Sequence, residues 1–108
     1  MSNFSDYLQA LKQPLSDFIS KNFSDFESAA KNDAQDFLTQ CEEDLQRWTE
    51  LLAESQINID EYRSLLNGEA SLGRLHALKQ AGLAEARWDM FVNGVIDILV
   101  KTAVSVFL

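Results

Sequence analysis

The chain has few of the residues that carry covalent or metal chemistry. Its 108 residues include one cysteine, one histidine, one proline and four glycines. A single cysteine cannot form an intramolecular disulfide, and a lone histidine without further ligands at zinc spacing gives no metal motif. Glycine-rich phosphate loops and nucleophile elbows do not occur in the sequence. We therefore expect a non-enzymatic protein with no catalytic, cofactor-binding or metal site.

Basic residues are scarce as well. Nine Lys and Arg stand against 17 Asp and Glu, which gives a net charge of −8. The excess lies in residues 1–69, which carry −9, whereas residues 70–108 carry +1. Nucleic-acid binding depends on cations that neutralise phosphates, so we expect no nucleic-acid partner. The N-terminus lacks the basic and apolar segments of a secretory signal, and a cytoplasmic location is expected.

Apolar residues are abundant, and in the first half they recur every 11 residues. Eleven residues make three helical turns, so such a stripe runs nearly straight along one helix face. Two registers four residues apart share this period: Phe4, Leu15, Phe26, Phe37 and Trp48, and Leu8, Ile19, Ala30, Cys41 and Leu52. The pattern predicts an all-α fold built on an 11-residue apolar repeat, within a single domain over residues 1–108.

Helix signals divide this domain into four predicted elements. They are a short helix over 3–12, a long amphipathic helix over 14–56, a short connecting helix over 59–66 and a C-terminal helix over 71–106. Pro14 separates the first two because proline disrupts a helix interior, although a kinked extension is the alternative. Asn58 and Glu61 form a capping signature for the connecting helix. Asn93-Gly94 leaves a break in the last helix open.

Folding the chain back at residues 56–70 predicts a long antiparallel hairpin. It would place bases of the second half beside acids of the first: Arg74 near Glu54, Lys79 near Glu50, and Arg87 near Glu42 or Glu43. Such pairs select the register more than they stabilise the fold. The C-terminus would reach only to about Asn22, so the first twenty residues would need to fold over or to meet another chain.

The apolar segment from Phe91 to Leu108 has three possible roles. It could be bundle core, a helix on a lipid or polymer surface, or a strand from Thr102 to Leu108. Asp97 and Lys101 near its centre disfavour a membrane span, because each would cost about 2.5–3.5 kcal/mol there. Their acid-first spacing of four suits a helix with one wet edge.

These patterns together indicate a helical interaction or assembly protein that forms a homo-oligomer, a dimer or tetramer, through its apolar helix faces. Another protein is a possible partner. Trp48 and Trp88 are either core residues or binding hot spots for that partner. The alternative is a surface-coating protein on lipid or an apolar polymer granule, since the period is similar to that of exchangeable apolipoproteins and granule-coating proteins. The expected interface residues are Phe4, Leu8, Leu11, Phe18, Trp48, Trp88, Phe91, Val95, Ile98, Leu99 and Val106.

Overall fold

The protein is all-α, as the sequence predicts. The structure, a computed structural model, describes residues 3–71 and 80–108. Within these ranges the regular elements are α1 (Phe4–Asn22), a 3₁₀ turn (Ser24–Phe26), α2 (Glu27–Gln40), α3 (Glu42–Ala53), α4 (Ile59–Ser71) and α5 (Glu85–Phe107).

The first helix runs through the proline that was expected to end it. Asn3 caps α1, because its side chain accepts the Asp6 N–H at 3.0 Å while Asp6 accepts the Asn3 N–H at 3.2 Å. Pro14 lies inside the helix and is exposed. An interior proline costs about 3 kcal/mol. Burial of one face offsets this cost, so 3–12 is part of a longer helix; the buried residues are Tyr7, Leu11, Leu15 and Ile19.

Three helices replace the single helix expected over 14–56. The helical path breaks at Phe23 and at Cys41, whose side chains are 0% and 1% exposed. A straight helix over this range would span roughly 60 Å, whereas the longest dimension of the molecule is 41 Å. The two breaks therefore divide a helix that would be too long for the molecule, and the side chains at both breaks are buried in the core.

The connecting helix starts where the sequence predicts and ends later. Asn58 and Glu61 cap the start of α4. The Asn58 N–H donates to the Glu61 carboxylate at 3.0 Å, and the Glu61 N–H donates to the Asn58 side-chain oxygen at 2.8 Å. The helix continues past Gly68 to Ser71, five residues beyond the predicted end. Tyr62 and Leu66 are its fully buried side chains. Gly68 stays within the helix and does not terminate it.

The C-terminal helix begins at Glu85, not at residue 71. Gly82 has φ of +93°, a left-handed conformation that ends a helix and favours glycine. The predicted helix over residues 72–79, with the pairs of Arg74 and Lys79, lies outside the described residues. Beyond Glu85 the helix passes Asn93-Gly94 without a break and reaches Phe107, so the strand proposed for Thr102–Leu108 is absent.

The first twenty residues fold over and pack on α5, which is one of the two outcomes that the predicted hairpin leaves for them. The Phe18 ring lies 6.3 Å from that of Phe91, and the Tyr7 ring lies 5.7 Å from that of Phe107. The two helices are therefore antiparallel. Helices α2, α3 and α4 complete the bundle around them. The packing of α1 on α5 is favoured because both helices carry wide apolar faces, whereas surface charge pairs contribute little to the stability of the fold.

Candidate functional surfaces

Two tyrosine hydroxyls meet in the centre of the core. Tyr7 and Tyr62 are both 0% exposed, and their hydroxyl oxygens lie 3.1 Å apart. The Tyr7 O–H donates to the Leu99 carbonyl oxygen at 2.9 Å. Since each hydroxyl has one proton, Tyr62 donates to Tyr7. The chain of hydrogen bonds ties α4 to α1 and α1 to α5.

The electrostatics of this pair suit packing. Burial is the main cause that raises the pKa of Tyr7, and the neighbouring Tyr62 raises it further. Burial also raises the pKa of Tyr62, although the hydrogen bond with Tyr7 acts in the opposite direction. Both side chains therefore stay neutral at physiological pH. Cys41, the lone thiol, is likewise buried as an apolar residue.

Arg87 fastens the 3₁₀ turn to the start of α5. Its guanidinium donates to both Asp25 carboxylate oxygens, at 2.6 and 2.9 Å, and to the Asn22 carbonyl oxygen at 3.0 Å. It also lies over the rings of Phe23 and Phe26, 5.2 and 5.6 Å from their centroids. The hydrogen bond from Arg87 lowers the pKa of Asp25. The predicted hairpin places Arg87 near Glu42 or Glu43. That prediction is wrong, because Arg87 pairs with Asp25.

A second ion-pair group connects α4 to α5. Asp97 accepts from Lys101 at 2.9 Å and from Arg63 at 3.0 Å. Two hydrogen bonds lower the pKa of Asp97: the bond from Lys101 is the main cause, and the bond from Arg63 is the second. Asp97 and Lys101 form the solvent-exposed edge of α5 that their spacing predicts.

The predicted interface residues fall into two sets. Four are at most 2% exposed and Trp48 is 8% exposed, so they belong to the chain's own core; the four are Leu11, Phe91, Val95 and Leu99. The other six are half-buried against that core: Phe4, Leu8, Phe18, Trp88, Ile98 and Val106. A second chain could reach the first set only if the fold opened, whereas the second set keeps some exposed apolar surface.

Part of the second set lies together at one end of the bundle. The start of α1 meets the end of α5 there, because the Tyr7 ring lies 5.9 Å from Phe4 and 5.7 Å from Phe107. Phe4, Leu8, Val106 and Phe107 are all half-buried at this end. We call these four residues the terminal apolar surface. Met90, at 60% exposure, is an exposed apolar side chain of α5 outside this surface.

A cleft of about 420 Å³ lies between α1 and α2. Sequence reasoning missed it because its depth depends on how two helices approach each other. Its lining alternates apolar residues with polar ones: Leu8, Leu11, Lys12, Leu15, Ser16 and Ile19 from α1, with Lys31, Ala34, Gln35, Leu38, Thr39 and Glu42 from α2 and the start of α3. The cleft is the size of a small-molecule site.

Two chemical features are relevant to function. Among residues 3–71 and 80–108, no group of three or more His, Cys, Asp or Glu side chains is placed to hold a metal ion. In the same ranges, helix α5 is long and apolar enough to cross a membrane, with a mean hydropathy of 1.7 over its most apolar window and 39% of that window buried. The core helix of a soluble protein also has this length and composition.

Comparisons of this chain with protein-family models, with curated proteins and with solved structures found no match.

Proposed function

We propose that this chain is a non-enzymatic helical assembly protein that associates with copies of itself, as a dimer or tetramer, through half-buried apolar side chains on α1 and α5. The observation that carries the proposal is the terminal apolar surface. Phe4, Leu8, Val106 and Phe107 pack on the core from one side and keep exposed area on the other.

Physical chemistry supports an assembly role for this end of the bundle. Clustered apolar area that remains in contact with water typically marks an interaction site. Aromatic side chains such as Phe4 and Phe107 contribute large contact area at interfaces. A chain of this length buries only about two thirds of its unfolded surface alone, so burial between copies would add stability.

The buried reactive groups are consistent with a structural role. The hydroxyls of Tyr7 and Tyr62 bond to each other and to Leu99, and the pKa of each tyrosine is raised. Cys41 is buried as well, at 1% exposure. Groups that are neutral and enclosed hold the helices together, and they are poorly placed to attack a substrate from solvent.

Mass measurement in solution tests the proposal. Light scattering in line with size exclusion should give a discrete dimer or tetramer for the wild-type protein. The double substitution Phe4→Glu with Val106→Glu should give a monomer, because charge on both helices makes burial of this surface unfavourable. Met90→Glu, also a charge on α5 but at an exposed site outside this surface, is the matched control and should leave the mass unchanged. Circular dichroism checks that all variants keep wild-type helix content.

A monomeric wild-type protein over a range of concentrations would contradict self-association. Equal masses for the double variant and the wild type would show that copies associate elsewhere. Monomerisation of Met90→Glu together with the double variant would mean that added negative charge, and not this surface, controls association.

A surface-coating role is the second candidate, and the composition of α5 favours it. The most apolar window of α5 has a mean hydropathy of 1.7 and only 39% of it is buried, so it has apolar area to offer to a lipid surface. Flotation with neutral phosphatidylcholine vesicles distinguishes the two roles. Co-flotation of a polydisperse wild-type protein would support coating, whereas a discrete oligomer that stays out of the lipid fraction would exclude it.

A further inference from the structure

The cleft between α1 and α2 has an apolar floor and a polar mouth. Helices α1 and α2 are consecutive, are joined by the short 3₁₀ turn and both line the cleft, so they run antiparallel, with Ile19 and Lys31 near the turn and Leu8 and Glu42 toward the other end. The cleft thus extends along twelve residues of α1, roughly 17 Å at a rise of 1.5 Å per residue. It is therefore long and narrow.

Its floor is aliphatic. Leu11, Leu15, Ile19 and Ala34 are between 1% and 7% exposed, and Leu8 and Leu38 are half-buried above them. None of these six side chains has a polar atom. A ligand group that reaches this floor therefore has to be apolar, because a polar group would lose its hydrogen bonds to water there.

Hydrogen-bond donors line the cleft on both helices. Lys12 and Ser16 lie one turn apart on α1, and Gln35 and Thr39 lie one turn apart on α2. The Gln35 amide donates to the Thr39 hydroxyl at 3.2 Å, which leaves the Thr39 proton and the second Gln35 N–H for a ligand. An ammonium, two hydroxyls and an amide are a donor set that suits an anion.

Charge at the mouth also favours an anion. Within the described part of the chain, Lys12 makes no ion pair, although the protein carries a net charge of −8. Lys31, at the Ile19 end, pairs with Glu27 on its own helix at 2.9 Å. Glu42 is the acidic side chain in the lining, and it lies at the opposite end, beside Leu8. A ligand anion therefore fits beside Lys12 with its tail directed toward Ile19, away from Glu42.

We propose that this cleft binds a long-chain carboxylic acid, with the carboxylate held by Lys12, Ser16, Gln35 and Thr39 and the alkyl chain laid on the floor. A volume of about 420 Å³ lies within the range of small-molecule sites. Burial of the ligand's alkyl chain supplies affinity, and the hydrogen-bond donors of the cleft select the carboxylate head group. The site shares Leu8 with the terminal apolar surface, whereas its head-group residues lie outside that surface.

Calorimetric titration with sodium dodecanoate, below its micelle concentration, tests the site. The comparison ligand is dodecyltrimethylammonium, which has the same chain and a cationic head. We expect dodecanoate to bind at least about tenfold more tightly, and Lys12→Glu to weaken it by about tenfold or more. Lys21→Glu is the matched control, since Lys21 lies on the same helix outside the cleft and should leave the affinity within about twofold.

A floor variant separates the cleft from nonspecific attraction. Ala34→Leu fills the floor and should abolish dodecanoate binding while circular dichroism shows an unchanged fold. Equal affinity for the two head groups, equal effects of Lys12→Glu and Lys21→Glu, or retained binding by Ala34→Leu would each overturn the proposal. The same holds for binding to anionic phospholipid vesicles without binding to free dodecanoate, because the ligand would then be a bilayer.

Discussion

At the scale of single residues, the hydroxyls of Tyr7 and Tyr62 distinguish an otherwise apolar core. Tyr7 both accepts from Tyr62 and donates to Leu99, so it is the middle of the chain of hydrogen bonds. Tyr62 is at its end. A buried donor that loses its acceptor costs more than a hydrogen bond that is removed together with its donor.

This difference predicts unequal effects of two similar substitutions. Tyr7→Phe leaves the Tyr62 hydroxyl without its acceptor and should reduce the free energy of unfolding by about 1–3 kcal/mol. Tyr62→Phe keeps the Tyr7 to Leu99 bond and should cost about 0.5–1.5 kcal/mol. Urea denaturation with unchanged m-values measures both. A larger loss for Tyr62→Phe would contradict the proton assignment.

The same pair predicts sensitivity to alkali. Because burial raises the pKa of both tyrosines in the folded state, and unfolded tyrosine ionises near pH 10, the stabilising difference is fully present below about pH 10 and is lost as pH rises above it. The free energy of unfolding should therefore fall steeply above about pH 10. The fall should be shallower in Tyr62→Phe, and an identical slope would show that other groups are responsible.

Gly94 matters because a ring occupies the space where its Cβ would be. A Cβ at this position would overlap the Phe18 ring, which is itself held between Phe23 and Phe91. Gly94→Ala should therefore destabilise the protein by about 1–2 kcal/mol, although alanine is the better helix former. Gly68→Ala, where a Cβ meets no atom within 4 Å, should instead stabilise it by about 0.5–1 kcal/mol. Thermal unfolding compares the two, and the same sign for both would contradict the overlap.

At the scale of elements, the helix ends show where local signals suffice. The caps at Asn3 and Asn58 start α1 and α4 where the sequence places them. The breaks at Phe23 and Cys41 have no such signal, since neither residue disfavours a helix strongly. The breaks allow α2 to pack on α1 and α3 to pack on α4, so that their apolar faces share one core. Periodicity in the sequence continues across both positions and therefore hides them.

The Arg87 contact should make the first break sensitive to acid. Because Arg87 lowers the pKa of Asp25, the pair stabilises the folded state above the unfolded carboxyl pKa of 3.8 and loses this effect as pH falls through the lower folded pKa. Asp25→Asn should lower the melting temperature at pH 7 and leave it near the wild-type value in strong acid. Asp36→Asn, an exposed carboxylate on α2, is the control and should have little effect at either pH. An Asp25→Asn deficit that persists unchanged in strong acid would contradict the ionic origin.

At the scale of the whole molecule, the packing of α1 on α5 changes the basis for self-association. The predicted hairpin provides no partner helix for the first twenty residues, so that they need to fold over or to meet another chain. In the structure these residues are covered by α5, so association now depends on surface that remains half-buried. Copies with a charge of −8 also repel each other, and salt should strengthen their association by screening.

Self-association at this surface predicts a melting temperature that depends on concentration. If copies stabilise one another, the wild-type melting temperature should rise with protein concentration and with moderate salt. Phe4→Glu with Val106→Glu should remove the concentration dependence, whereas Met90→Glu should keep it. A wild-type melting temperature that is independent of concentration over two orders of magnitude would contradict the assembly proposal.

Sequence alone determined the helical class, two helix starts and most of the buried positions. Period and capping are local properties, so the inner face of α1 could be read from residue spacing, and Leu15 and Ile19 of the repeat are buried there. The tertiary structure decided the rest: the passage of α1 through Pro14, the turns at Phe23 and Cys41, the pairing of Arg87 with Asp25, and the cleft between α1 and α2. Each depends on contacts between residues far apart in the chain, and burial in those contacts outweighs the local preferences that the sequence displays.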